Sequence, residues 1–158
     1  MIRSGNFVVE HIETADEDAV QPNGVDLSIG KIYAHASPGR LTDGDYEKPE
    51  RRELSTVTTD AGEFYDLAPG AYVVEYAETV EIPENHIGFI FPRSRLMRCG
   101  GMLFSAVWDS GYRGKGEGGL WIEQQLEIEA GMRIGQMVFS TTEELDEFYD
   151  GSHQGENL

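Results

Sequence analysis

Short runs of alternating apolar and polar residues, each closed by a turn signal, fill most of this chain. Val25-Asp26-Leu27-Ser28-Ile29 alternates at the two-residue period of a half-buried strand and follows the turn-like Gln21-Pro22-Asn23-Gly24. Phe64-Tyr65-Asp66-Leu67, the run Ala71 to Tyr76 and Thr79-Val80-Glu81-Ile82 repeat the pattern, separated by Pro69-Gly70 and short polar breaks. His86-Ile87-Gly88-Phe89-Ile90-Phe91 stops at Pro92, and further strands are expected over 102–108, 120–125, 126–129 and 133–140. Segment 5–10 also reads as a short strand. One short helix stands out at about 94–99: Pro92 marks its boundary, Ser94 can cap it, and Leu96 and Met97 supply apolar anchors. Residues 143–148 suggest a helical turn. The stretch 35–62, rich in charge, Pro, Gly and Thr, is a long excursion with weak strands. Many short strands, regular turns and one small helix specify an all-β chain, a β-barrel or jelly roll.

At 158 residues the chain is long enough for one domain with a real core, and no repeat or linker divides it. The expected organisation is a β domain over 1–148 followed by a flexible polar tail, 149–158. No run of about 20 apolar residues is present, and no basic region precedes an apolar one at the N-terminus. The expectation is a soluble, cytoplasmic protein with no membrane association. One cysteine, Cys99, excludes an internal disulfide and a multi-cysteine metal site, and the histidines show no ligand spacing.

The net charge of −17 is built from 29 acidic and 12 basic residues. Such a surface repels polyanions, which argues against nonspecific nucleic-acid binding. Three lysines (Lys31, Lys48, Lys115) stand against nine arginines, and an acidic, lysine-poor surface suits concentrated salt, where screening suppresses self-repulsion. A halophilic source is expected; an ordinary acidic cytosolic protein is the alternative. Half of the basic residues (Arg93, Arg95, Arg98, Arg113, Lys115 and Arg133) fall between positions 93 and 133. That concentration fits either a site for a small polyanion such as a triphosphate or a set of local salt bridges.

Five ordered stretches decide between these readings. Pro92-Arg93-Ser94-Arg95-Leu96 resembles the second motif of the dUTPase/dCTP deaminase family. Gly24-Val25-Asp26-Leu27 resembles the first motif, Ala106-Val107-Trp108-Asp109-Ser110-Gly111-Tyr112-Arg113-Gly114 the third, and Gly131-Met132-Arg133-Ile134-Gly135-Gln136 the fourth. The tail, Tyr149-Asp150-Gly151-Ser152-His153-Gln154-Gly155, is similar to the Tyr…Gln-Gly element of the deaminase-like branch. The resemblance spans most of the chain and is weakest over 35–62. It implies a distorted jelly roll assembled as a homotrimer, with sites between subunits and the tail supplied across an interface. It also implies hydrolysis of dUTP to dUMP and pyrophosphate.

Within that resemblance Asp109 is the catalytic residue, orienting the attacking water and accepting its proton; taken alone it is an ordinary turn-initiating Asp. Tyr112 packs on the deoxyribose and excludes a 2′-hydroxyl, while hairpin backbone between Ala106 and about Gly119 reads uracil. Arg93, Ser94, Arg95 and Arg98 bind phosphates at the helix start, and Gln136 donates its amide to phosphate. Asp26 is expected to hold a water of Mg2+ rather than the ion, since magnesium keeps its waters and bridges phosphates. Tyr149 and Gln154 are the tail residues expected at the substrate. Two departures are visible: Lys115-Gly116-Glu117-Gly118-Gly119 is longer and richer in glycine than the usual hairpin continuation, and Ala106 replaces a common glycine.

The same scaffold serves dCTP deaminases, which carry a proton-shuttling glutamate on the strand after the hairpin. That position falls at Leu120 or Trp121 here, with Glu117 before it and Glu123 beyond it. The turn Asp109-Ser110-Gly111-Tyr112-Arg113-Gly114 favours the diphosphatase. A deaminase, a bifunctional deaminase/diphosphatase and a noncatalytic nucleotide-binding trimer remain as alternatives.

Overall fold

The computed structural model describes residues 1–144 and 146–158. Its strands are short because turn residues interrupt them, as the sequence predicts. The first third of the chain contains β1 (Ile12–Glu13), β2 (Val20–Gln21), the long β3 (Gly24–His35), β4 (Arg40–Thr42), β5 (Asp45–Glu47) and β6 (Arg51–Glu53). There follow β7 (Val57–Thr59), β8 (Gly62–Leu67), β9 (Gly70–Tyr76), β10 (Thr79–Glu81) and β11 (His86–Pro92). After helix α2 (Ser94–Arg98) come β12 (Gly101–Phe104), β13 (Arg113–Gly114), β14 (Glu117–Ile122), β15 (Leu126–Glu129) and β16 (Arg133–Thr141).

The main sheet runs β11-β16-β3-β9-β14-β12, with β2 and β6 also paired to β3. Its end strands β11 and β12 pack beside one another, so the sheet nearly closes into a barrel. Two three-stranded sheets, β1-β10-β13 and β15-β8-β7, and the two-stranded β4-β5 complete a distorted jelly roll. The interior is filled by the inward residues of these strands, among them Leu27 and Ile32 of β3, Val74 and Tyr76 of β9, and Met137 and Phe139 of β16. Among the described residues no helix is long and apolar enough to cross a membrane.

Three local expectations are corrected. Segment 5–10 is not a strand: helix α1 (Gly5–Val9) forms there, with Ser4 accepting a hydrogen bond from the Phe7 N–H as its cap. Five residues are too few to display a 3.6-residue period, and Gly5 is pressed against the backbone carbonyls of Gln21 and Gly24, where a Cβ has no room. Ser94 does not cap α2: Arg93 is the N-cap, with no side-chain cap hydrogen bond, and Ser94 is the first helical residue. Leu96 anchors the helix in the core, whereas Met97 is half exposed. The helical turn expected over 143–148 includes position 145, which lies outside the described residues.

Candidate functional site

Strand β11 borders two groups of candidate residues, one towards each end. At its start Gly88 exchanges two backbone hydrogen bonds with Trp108, at 2.8 and 3.0 Å. This fixes the chain as it enters Asp109. The Tyr112 N–H then donates to the Asp109 carbonyl at 3.1 Å, closing a turn in which Gly111 takes φ +88°, a conformation that favours glycine. The turn is strapped down from outside: Gly111 N–H donates to the Ile82 carbonyl at 2.9 Å, Ile82 N–H to Tyr112 at 2.8 Å, and the Ser110 hydroxyl to Pro83 at 3.1 Å.

Beside this turn lies a cavity of about 250 Å³ whose walls include Ala106, Trp108, Asp109, Tyr112, Gly116 and Glu117. Tyr112 is 6% exposed and meets Trp108 edge-on at 5.0 Å between ring centroids. Burial pushes its hydroxyl well above the usual tyrosine range, and among the described residues that hydroxyl has no hydrogen-bond partner. Asp109 is exposed at the cavity. The walls carry the carboxylates of Asp109, Glu117 and Glu156 against the single imidazole of His153. A polyphosphate is repelled from such a space, whereas an uncharged sugar and base are not.

The tail forms the other side of the cavity through Tyr149, His153 and Glu156. The Tyr149 ring sits 5.7 Å from Tyr112, and its N–H donates to the Ser110 carbonyl at 2.7 Å. The Gln154 amide brackets Tyr112: its oxygen accepts from the Arg113 N–H at 2.8 Å and its nitrogen donates to the Gly111 carbonyl at 2.9 Å. Gly155 N–H donates to Arg113, and Lys115 N–H to Glu156. The resemblance led us to expect this tail across an interface; in the single chain it lies against its own turn.

At the far end of β11, antiparallel pairing places Gln136 of β16 directly opposite Asp26 of β3. Alternation alone would turn Asp26 outward, yet it is 2% exposed because Gln21 and Arg93 cover it. The Gln21 amide donates to Oδ2 at 3.0 Å, and Arg93 Nε lies 3.3 Å from the same atom. Desolvation raises the pKa of Asp26, opposed by the charges of Arg93 and Arg133 and by the Gln21 hydrogen bond. Asp26, Arg93 and Gln136 thus stand together, and Ser94 follows Arg93 as the first residue of α2. Arg95 and Arg98 face elsewhere, lining a mostly apolar groove of about 340 Å³ with Leu126, Ile128, Met132 and Ile134.

The two groups do not meet within one chain. Trp108 is tied to Gly88, and Gln136 pairs with Phe91, which separates them by roughly 10 Å along β11 at the strand rise. The carboxylates considered for deamination are also placed. Leu120 is buried in the core, Trp121 is half exposed, and Glu123 accepts a long 3.4 Å hydrogen bond from the Trp121 indole. Glu117 does reach the cavity, but both its oxygens accept from Arg51. Arg51 was not foreseen: it comes from the excursion the resemblance barely covers, and no motif marks it.

Residues 1–142 match the family model for dCTP deaminase-like proteins. This chain belongs to that family. Among its relatives, the probable deoxyuridine 5′-triphosphate nucleotidohydrolase of Halobacterium salinarum is 44% identical over 99% of this chain and 95% of that protein. The protein of the same name from Aeropyrum pernix is 42% identical over 89% and 87% of the two chains. The deoxyuridine 5′-triphosphate nucleotidohydrolase of Methanocaldococcus jannaschii is 30% identical over 98% and 99%. The crystal structure of 2′-deoxycytidine 5′-triphosphate deaminase from Agrobacterium tumefaciens has the same fold, with a TM-score of 0.65 at 17% identity over 89% of this family member and 48% of that chain.

Proposed function

We propose that this chain is a dUTP diphosphatase that releases dUMP and pyrophosphate. The observation that carries the proposal is a carboxylate, Asp109, exposed at a cavity suited to an uncharged nucleoside, in a chain whose near-full-length relatives are named as dUTP hydrolases. In the proposed reaction a water attacks the α-phosphorus and gives its proton to Asp109. The bond to the β-phosphate bridging oxygen breaks, and pyrophosphate leaves. Tyr112 holds the sugar. The turn's backbone reads the base.

The phosphates need the cations that the cavity lacks. Arg93 supplies the charge, and Ser94 and Gln136 neutral hydrogen-bond donors, from a neighbouring copy in a homotrimer; Arg95 and Arg98, which line the apolar groove, are left outside this phosphate site. The roughly 10 Å separation within one chain supports this shared arrangement. The donor set also fits a hydrated magnesium ion: Gln21 and Arg93 both engage Oδ2 of Asp26, so neither occupies Oδ1. A lone carboxylate cannot cage the ion but can hold one of its waters. Bound Mg2+ would neutralise charge on the triphosphate and on departing pyrophosphate. The acidic surface supports a cytoplasm rich in salt.

Pyrophosphate and ammonia release, each followed with dUTP and with dCTP in concentrated KCl, tests the function. Pyrophosphate from dUTP without ammonia from dCTP is expected. Ammonia from dCTP would make the chain a deaminase or a bifunctional enzyme, and no product from either substrate would leave a nucleotide-binding protein.

A further inference from the structure

Glu117 opens β14 and stands directly opposite Glu75 of β9. Glu75 is 8% exposed, and two like charges facing one another across a ladder repel. Two contacts offset the repulsion. The Tyr33 hydroxyl donates to Glu75 Oε2 at 2.9 Å, and Arg51 Nη1 donates to both oxygens of Glu117 at 2.8 and 2.7 Å. The Arg51 and Glu117 side chains are only 20% and 16% exposed, so the pair is largely withdrawn from water. Removing one member of such a pair leaves the other as an uncompensated charge. The Arg51 guanidinium also lies 5.9 Å from the centroid of the Tyr33 ring, whose hydroxyl secures Glu75. One cation from β6 thus serves both acids.

Glu117 is also a wall of the proposed nucleoside cavity, next to Gly116, which is pressed against the Trp108 ring. Without Arg51, repulsion from Glu75 drives the Glu117 carboxylate away from the ladder, and the open space beside it is the cavity. We infer that Arg51 is a positioning residue for nucleotide binding: it draws the Glu117 carboxylate into the wall and keeps the β14 side of the cavity free for an uncharged base. This rests on the diphosphatase reading for the identity of the ligand. The contribution of Arg51 is to binding, so it acts on KM and leaves the chemical step alone.

The test is a cycle of Arg51→Ala, Glu117→Gln and the double variant, read by calorimetric binding of dUMP and by dUTP kinetics in concentrated KCl. Arg51→Ala should weaken dUMP binding and raise KM for dUTP, each by about tenfold, with kcat within about twofold. The double variant should recover most of the loss, because no carboxylate is left to enter the cavity. The same cycle with Arg51→Gln covers failure of the alanine variant to fold. Unchanged dUMP affinity in Arg51→Ala overturns the inference, and so does a double variant as impaired as the single one, which would mark the pair as purely structural. If the unaltered protein neither binds dUMP nor hydrolyses dUTP, the diphosphatase reading fails and this inference falls with it. If it does both, the diphosphatase reading stands whatever the variants show.

Discussion

Asp26 and Gln136 face each other across β3 and β16, and the acid of the pair is almost fully buried. Its pKa is raised, chiefly by desolvation. The folded chain therefore binds this proton at higher pH than the unfolded chain does. The cost of keeping Asp26 ionised is present above its folded pKa and disappears as pH falls through that value. In the window between the unfolded and folded values, its contribution makes stability rise as pH falls. Asp26→Asn should melt at or above the parent temperature at neutral pH while losing dUTP turnover. Thermal melting together with pyrophosphate release checks this, and a lower melting temperature in the variant contradicts it.

Asp109→Asn removes the proposed proton acceptor and keeps the shape of the turn. Turnover should fall by ~10²–10⁴-fold while dUMP binding stays close to that of the parent. Single-turnover kinetics beside calorimetry separates the two effects. Undiminished turnover would remove Asp109 from the reaction.

Gln154 acts on Tyr112 through backbone, since its amide bonds Gly111 on one side and Arg113 on the other. Gln154→Ala loses two hydrogen bonds at an exposed position, on the order of 1 kcal/mol of local order. A rise in KM for dUTP of about fivefold corresponds to that energy. Gln154→Glu should be worse than alanine, because it sets a carboxylate oxygen against the Gly111 carbonyl. Steady-state kinetics that rank glutamate above alanine would exclude this bracing role.

The charge of −17 predicts that salt stabilises the fold. Screening weakens repulsion among exposed acids more than it weakens buried pairs such as Arg51–Glu117. The melting temperature should climb between about 0.1 and 1 M KCl, over which the Debye length shrinks from ~10 to ~3 Å. A flat or falling profile in scanning calorimetry would show that the acidic surface carries no such cost.

The barrel was legible because its strands alternate and end at Pro or Gly: β3, β9 and β11 begin or stop where those signals stand. Helix α1 was not legible, since its cap is a lone Ser4 and its five residues carry no period. Ordered motifs nominated Asp109, Tyr112, Asp26, Arg93 and Gln136, but not their grouping, because grouping depends on register. The pairing of Gln136 with Asp26 is a property of two strands more than a hundred positions apart. The resemblance grouped Arg95 and Arg98 with Arg93 and Ser94 at the helix start, yet Arg95 and Arg98 border an apolar groove. The Arg51–Glu117 pair joins an irregular excursion to a glycine-rich segment, and neither has a pattern that could announce its partner.

Because the Trp108 tie and the Gln136 ladder hang on opposite ends of β11, that strand behaves as a spacer bar between neighbouring reaction centres in the proposed ring. Lengthening or slipping it by one residue would shift two centres together, one losing its base-holding half and the next its phosphate-holding half. In such a ring, damage to this single segment would be shared by every centre.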